Sequence, residues 1–198
     1  MMFVLILMAV FLSYGMGSLC SAVIVSQLCH LPDPRLQGSR NPGTTNVLRI
    51  AGKKYALIVL LADLLKGLIP VLVAKTLHLA PAYWGYVGVA AVLGHIYPIF
   101  FKFKGGKGVA TALGVLFGLH WALGVAAVIT WLSVAVLTRY SSLAAMIALS
   151  LCPLYAWLII TAAPNLFIPL AWMVACVLYQ HQDNMRRLWQ GQESKIKL

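Results

Sequence analysis

Two stretches of this chain are dense in groups that hold anions. Residues 101–111 read FKFKGGKGVAT, and residues 38–49 read GSRNPGTTNVLR. In the first, Lys104 and Lys107 bracket Gly105 and Gly106. Glycine lets backbone N–H groups turn toward an anion, and a helix starting near Gly108 adds a partial positive charge. With mobile lysine ammonium groups, this makes a phosphate cradle. It is not a Walker A loop: Phe101 stands where the leading glycine belongs, and Gly108 where a Ser or Thr is required. The second stretch offers the Ser39, Thr44 and Thr45 hydroxyls, the Asn41 and Asn46 amides and the Arg49 guanidinium. A Pro42-Gly43 turn can point these groups inward, toward a phosphate or an oxyanion. Each stretch also has a plainer reading. The first can be a basic orientation loop, and the second a polar turn ending in a helix cap at Thr44, Thr45 or Asn46.

Two further segments carry chemistry. The corner Arg139-Tyr140-Ser141-Ser142 is polar and basic, and the tail 181–193 reads HQDNMRRLWQGQE. If the last helix continues into the tail, His181 and Asn184, three residues apart, share a face. Arg186 and Arg187 also fit simple stop-transfer charges. The four acids are Asp33, Asp63, Asp183 and Glu193. They do not have the spacing of a metal site, which argues against a magnesium-dependent phosphotransferase. No His is followed by Asp five positions later, so the dyad of the common glycerolipid acyltransferases is missing. Many anion binders and few bases imply phosphorylated substrates, one of them already activated, with no metal or cofactor.

These segments must be positioned by membrane helices. The chain has 198 residues, 62% hydrophobic and 10% charged, with a mean hydropathy of +0.89, too apolar for a soluble domain. A net charge of +11 would suit nucleic acid, but the cations lie in short loops between apolar runs, which points to membrane orientation and anionic partners instead. The start, MMFVLILMAVFLSYGMGSLC, has no basic n-region and reads as a retained first helix. Cys20, Cys29, Cys152 and Cys176 show no CxxC spacing and read as core thiols. Asp63 and Lys66, three apart inside a span, read as a structural pair. Gly114 and Gly118 read as a close helix contact.

Apolar length predicts spans at roughly 3–27, 55–77, 83–101, 141–162 and 165–180. Residues 108–137 are ambiguous, because one helix of that length would run about 45 Å, well over a hydrocarbon core of about 30 Å. Gly118, His120 and Gly124 mark a turn near the middle. Splitting the stretch gives seven spans and places every basic loop, from Arg35 to Lys197, on one side. That side holds thirteen of the fifteen Lys and Arg, all but Lys66 and Lys75. The expectation is an all-α integral membrane protein, a single transmembrane domain over residues 1–198. It has seven helices, some of them short, and a periplasmic or outside amino terminus. The four polar segments and the carboxyl terminus are cytoplasmic.

The motifs themselves carry a resemblance that covers nearly the whole chain. GSxNxGxTNVLR at 38–49, GHxxPxFxxFKGGKGVAT at 94–111 and HxxNxxRLxxGxE at 181–193 resemble, in order, the bacterial acyl-phosphate:glycerol-3-phosphate acyltransferases of the PlsY type. Arg40 departs from the pattern, standing where that family more often has glycine; Thr44, often alanine there, is a milder change. The resemblance implies a seven-helix inner-membrane enzyme that moves a fatty acyl group from acyl phosphate to sn-glycerol 3-phosphate, in the first acylation of phospholipid synthesis. It implies that Ser39, with nearby N–H groups and Asn46, holds the acyl-phosphate head. Asn41, Thr45, Gly105 and Gly106 line the substrates. Arg49 and Lys107, helped by Lys104, clamp glycerol 3-phosphate, while Ser142, His181 and Asn184 place its glycerol end. The acceptor hydroxyl loses its proton to His181 or to a substrate phosphate. Neither a nucleic acid nor a second subunit is needed. A transporter or flippase for an organic phosphate, or a structural protein binding anionic lipids, would use the same basic loops.

Overall fold

The computed structural model describes residues 2–160 and 164–196, and among them every regular element is helical. The extreme tail with Lys197, and residues 161–162 of the expected 141–162 span, lie outside the described residues. The helices are α1 (Met2–Gly17), α2 (Ser21–Leu28), α3 (Thr44–Ala51), α4 (Lys53–Thr76), α5 (Pro81–Ile96), α6 (Val109–Leu119), α7 (Trp121–Thr138), α8 (Ser141–Ser150), α9 (Cys152–Ile159), α10 (Phe167–Tyr179) and α11 (Gln182–Trp189). Four stretches are long and apolar enough to cross a membrane: α4, Pro81–Phe101, α7 and Ser141–Ile159. A fifth is the pair α1–α2 taken as one span bent by 44°, and α6 and α10 are shorter apolar helices.

The ambiguous stretch does break. His120 adopts φ −162°, ψ 130°, and its Nδ1 accepts from Ala122 N, capping α7. Just beyond the break, Gly124 packs against the Phe117 ring, so α7 starts by folding back over α6.

Glycine makes the central packing possible. A Cβ on Gly114 would collide with the Leu64 carbonyl of α4, and one on Gly67 with the Thr111 carbonyl of α6. Gly17 meets the Ala91 carbonyl and Gly94 the Tyr14 carbonyl in the same way, joining α1 to α5. Removing the side chain lets backbones approach and gains dispersion where lipid gives no hydrophobic drive. Gly118 packs on Val71, so the expected Gly114–Gly118 contact face is present. Around these contacts the core gathers Val92, Ala112, Leu116, Leu123 and Leu170, all nearly inaccessible.

The two cations off the basic side are both engaged. Lys66 Nζ lies 2.9 Å from Asp63 Oδ1. Lys75 Nζ donates to Leu119 O at the end of α6, where helix carbonyls lack partners, and sits 4.9 Å from the Trp84 ring centroid. All four cysteines are free thiols; Cys20 and Cys152 are buried, Cys176 half-buried and Cys29 exposed.

Candidate active site

The first motif loop is built around one side chain. Asn46 is 1% exposed, and its Oδ1 accepts from Ser39 N at 2.8 Å. Its Nδ2 donates to Pro34 O at 2.9 Å and Gln37 O at 3.0 Å. The amide thus closes the loop, with Ser39 and Arg49 both exposed. The cap of α3 is Gly43, with no side-chain bond, rather than Thr44, Thr45 or Asn46; Asn46 is committed to the loop. Asn41 lies alongside Gly43. Arg40 has φ +59°, the left-handed region where glycine is at home, so its place in the motif is one a glycine would fill without strain.

The second motif loop docks on the end of α5. Gly105 N donates to Ile96 O and Gly106 N to His95 O, both at 3.2 Å. A Cβ on Gly105 would collide with His95 O, and one on Gly106 with the His95 ring. These glycines serve close packing, and their N–H groups face α5, contrary to the expected anion-facing cradle. The free N–H groups belong to the first turn of α6, which does begin at Gly108, φ +85°. Lys104 is exposed. Lys107 points into the protein, and its Nζ donates to Asn184 Oδ1.

Corner and tail close the circle. Thr45 Oγ1 and Ser141 Oγ are 3.3 Å apart, joining α3 to α8. Ser142 Oγ and Asn184 Nδ2 both donate to Glu193 Oε1 at 2.6 Å, and Arg187 Nε donates to Glu193 Oε2 at 2.7 Å. Ile196 N donates to Arg139 O, so the tail runs along the corner. Four segments far apart in sequence therefore form one hydrogen-bonded surface, as their chemistry suggested.

Residues 7–191 match the family described as Glycerol-3-phosphate acyltransferase. The chain belongs to this family. A glycerol-3-phosphate acyltransferase of Methylococcus capsulatus is 50% identical over 184 residues, covering 93% of this chain and 92% of its own. One from Proteus mirabilis is 51% identical over 184 residues, 93% of this chain and 83% of its own. Among solved structures, PlsY, described as an integral membrane glycerol 3-phosphate acyltransferase, superposes in its glycerol 3-phosphate form with a TM-score of 0.91. It is 38% identical, and the match covers 97% of this chain and 96% of that one. In its lysophosphatidic acid form PlsY gives a TM-score of 0.89 at 36% identity, over 97% and 95% of the two chains. This chain is an integral membrane acyltransferase.

In this acyltransferase the electrostatics separate the charged groups from the neutral ones. Burial pushes the Lys107 ammonium down to about 8, with Arg187 adding to the fall, while Glu193 and Asp183 oppose it. Glu193 itself lies below the usual carboxylate range: burial would raise it, but Ser142, Arg187 and Asn184 together hold it ionised. Burial drives His181 down to about 4, so it is neutral at physiological pH. Its Nδ1 sits 2.7 Å from Val177 O. A carbonyl only accepts, so Nδ1 carries the proton and Nε2 keeps its lone pair. The tail is a separate helix, not a continuation of α10, because the chain turns at Gln180 and His181; even so, His181 and Asn184 are both buried, at 2% and 5% exposure.

Three contributors escaped the sequence reading. Glu193 ended a motif and was one of only four acids, a signal that could have marked it as the partner of several donors. Arg187 looked like a stop-transfer charge, and Ser141 had no separate role.

Proposed function

We propose that this chain, as one transmembrane acyltransferase domain, transfers a fatty acyl group from acyl phosphate to sn-glycerol 3-phosphate. The products are 1-acyl-sn-glycerol 3-phosphate and inorganic phosphate. The observation that carries the reading is the Lys107–Asn184–Glu193–Ser142 network, set beside the Ser39 loop. On this reading Lys107 supplies the cation for one phosphate, with Asn184 and Ser142 beside it and a second group of donors next to them. The relatives named glycerol-3-phosphate acyltransferase, and the PlsY structure in its glycerol 3-phosphate form, support glycerol 3-phosphate as the acceptor.

The mechanism follows from the donor. Acyl phosphate is a mixed anhydride with a good leaving group, so the glycerol hydroxyl can attack the carbonyl carbon directly. The new C–O bond forms as the bond to phosphate breaks. The hydroxyl proton passes to a phosphate oxygen, which leaves as hydrogen phosphate. Ser39 Oγ and the first-turn N–H groups of α6 stabilise the oxyanion and the acyl-phosphate head. Arg49 and Lys107, with Lys104, clamp the acceptor phosphate, and Asn41 and Thr45 border it. Ser142 and Asn184 place the glycerol. His181 Nε2 accepts the hydroxyl's hydrogen bond and orients it, but a group titrating near 4 holds a proton poorly at neutral pH. The substrate phosphate is the better base. Orientation supplies much of the rate. Neither metal nor cofactor enters.

Seven passes through the bacterial inner membrane suit this chemistry: α1–α2, α4, α5, α6, α7, α8–α9 and α10, with the amino terminus outside and the site cytoplasmic. The bonds from Lys107 through Asn184 and Glu193 to Ser142 support that topology, since a single helix between Lys107 and Arg139 would hold them at opposite membrane faces. An apolar crevice of about 320 Å³ between α1, α5 and α10, lined by Ile6, Val10, Tyr86, Leu93 and Trp172 among others, supports a lateral place for the acyl chain amid membrane lipids. The monomer has all these parts.

The test is purified protein with labelled glycerol 3-phosphate and no added metal. Turnover is expected with acyl phosphate and negligible with acyl-coenzyme A or acyl carrier protein. Efficient use of a thioester, or a stable acyl group on Ser39, would overturn the mechanism.

A further inference from the structure

Behind the glycine loop lies a polar group that the clasp around Glu193 does not use. Asp63 and Lys66 of α4 are 1% and 5% exposed, and His95 near the end of α5 is 5% exposed. Lys66 Nζ, besides its 2.9 Å approach to Asp63 Oδ1, donates to Leu19 O at 2.9 Å. Leu19 lies in the break between α1 and α2, where helix carbonyls lose their intrahelical partners. The lysine therefore anchors the bend from which α2 leads into the first motif loop.

His95 faces both ways. Its Nδ1 stands 3.6 Å from the same Asp63 oxygen and has no hydrogen-bond partner among the described residues. The opposite edge of the ring, at Nε2, abuts Gly106 so closely that a Cβ there would collide with it. The His95 carbonyl also accepts from Gly106 N. An imidazole is thus held between a buried carboxylate and the residue before Lys107. Three ionisable groups inside membrane helices are costly, and aliphatic side chains of similar volume would bind α4 to α5 as well or better. The arrangement has a direction: from the α1–α2 bend, through Lys66, Asp63 and His95, to the loop.

We infer that His95 is a positioning residue for the acceptor site: its ring, fixed by the Asp63–Lys66 pair, sets where Gly106 stands and so where Lys107 points. This rests on the proposed role of Lys107 in clamping glycerol 3-phosphate. Asp63 accepts only, which favours the proton on Nδ1 and leaves the Nε2 edge to bear on Gly106. The Asp63–Lys66 pair touches no substrate and acts through the ring.

Steady-state kinetics of the purified full chain, with acyl phosphate as donor and Lys107→Ala as reference, test this. His95→Ala is expected to raise the KM for glycerol 3-phosphate about tenfold or more while kcat changes by less than about threefold, with the thermal transition in detergent kept. His95→Gln, whose amide nitrogen falls near the position of Nε2, should recover part of the loss, whereas His95→Asn, which reaches only toward Asp63, should not. The neutralised pair Asp63→Asn/Lys66→Gln should raise the same KM and add nothing further in the His95→Ala background. An unchanged KM in His95→Ala, or a loss confined to kcat, overturns the inference if Lys107→Ala does raise that KM. An unchanged KM in Lys107→Ala sinks the clamp reading instead. Should His95→Ala not fold, His95→Asn and His95→Gln decide: Asn reaches toward Asp63 and Gln toward the loop. A lower KM for Gln supports the inference, and equal values or a lower KM for Asn overturn it.

Discussion

The two glycine-containing loops solve one problem by opposite means. At 38–49 a buried side chain holds the backbone: Asn46 takes the Ser39 N–H and two loop carbonyls. At 104–108 the backbone is held by backbone, as the Gly105 and Gly106 N–H groups fill the open carbonyls at the end of α5. In both, N–H groups that could face an anion (Ser39 in one, Gly105 and Gly106 in the other) are spent on keeping the loop in shape. For the proposed ligands this leaves side chains, Ser39 and Arg49 in one loop and Lys107 in the other, and the starts of α3 and α6. Glycine richness here reports close packing before it reports ligand contact.

The largest expected effect comes from the side chain the second loop exists to aim. Lys107→Ala removes a half-buried charge, a loss of about 2–5 kcal/mol in such contacts. It should lower kcat/KM for glycerol 3-phosphate by about 30-fold to several thousand-fold in a protein that still folds. Unchanged kinetics would reduce the loop to an orientation signal.

The loops differ in what should break them. Gly105→Ala meets a backbone carbonyl that cannot move aside, and overpacking of this kind costs about 1–3 kcal/mol. Asn46→Ala leaves the buried Pro34 carbonyl, and the part-buried Ser39 N–H and Gln37 carbonyl, without partners, at about 1–3 kcal/mol for each group that water cannot reach. Thermal melts in detergent should show both destabilised. A stable Asn46→Ala with normal turnover would mean that the first loop holds itself.

A smaller effect is set by pH. With Lys107 pushed down to about 8, the free enzyme loses this charge as pH rises through that value, and kcat/KM for glycerol 3-phosphate should fall there. Arginine stays charged far above that range, so in Lys107→Arg the decline should move to higher pH, whatever the absolute rate. An identical profile in both proteins would assign the titration to another group.

The mildest prediction is a gain. Arg40 sits at φ +59°, where a non-glycine residue costs about 1–2 kcal/mol, only part of which is offset by glycine's extra backbone entropy of about 0.5–1 kcal/mol. Arg40→Gly should raise the melting temperature slightly. A lower melting temperature would show that the arginine makes contacts outweighing its strain.

The three motifs, their gathering on one surface and the break at His120 were legible in the sequence. They depend on residue type, charge asymmetry and a span too long for a bilayer, all of which are local or additive. The uses of individual N–H groups were not legible, because Asn46 and the α5 carbonyls reach their partners only after the helices pack. The separation of α11 from α10 was hidden for a similar reason: the apolar run ends at Tyr179, but nothing around Gln180 says whether the chain turns or continues. Glu193 was visible as a rare acid, and its three donors were not.

The glycine contacts of α1, α4, α5 and α6 have a consequence for traffic. Where the Gly114 and Gly67 positions rest on carbonyl oxygens of the facing helix, no side chain stands between the backbones to yield, and a helix sliding by one residue would drive a Cβ into its neighbour. Among the described residues, these contacts lock α1, α4, α5 and α6 into a welded pillar. On the proposed reaction, a water-borne phosphate and a lipid-borne one each travel to a fixed quay at its edge, and the joined product departs along the lipid's route.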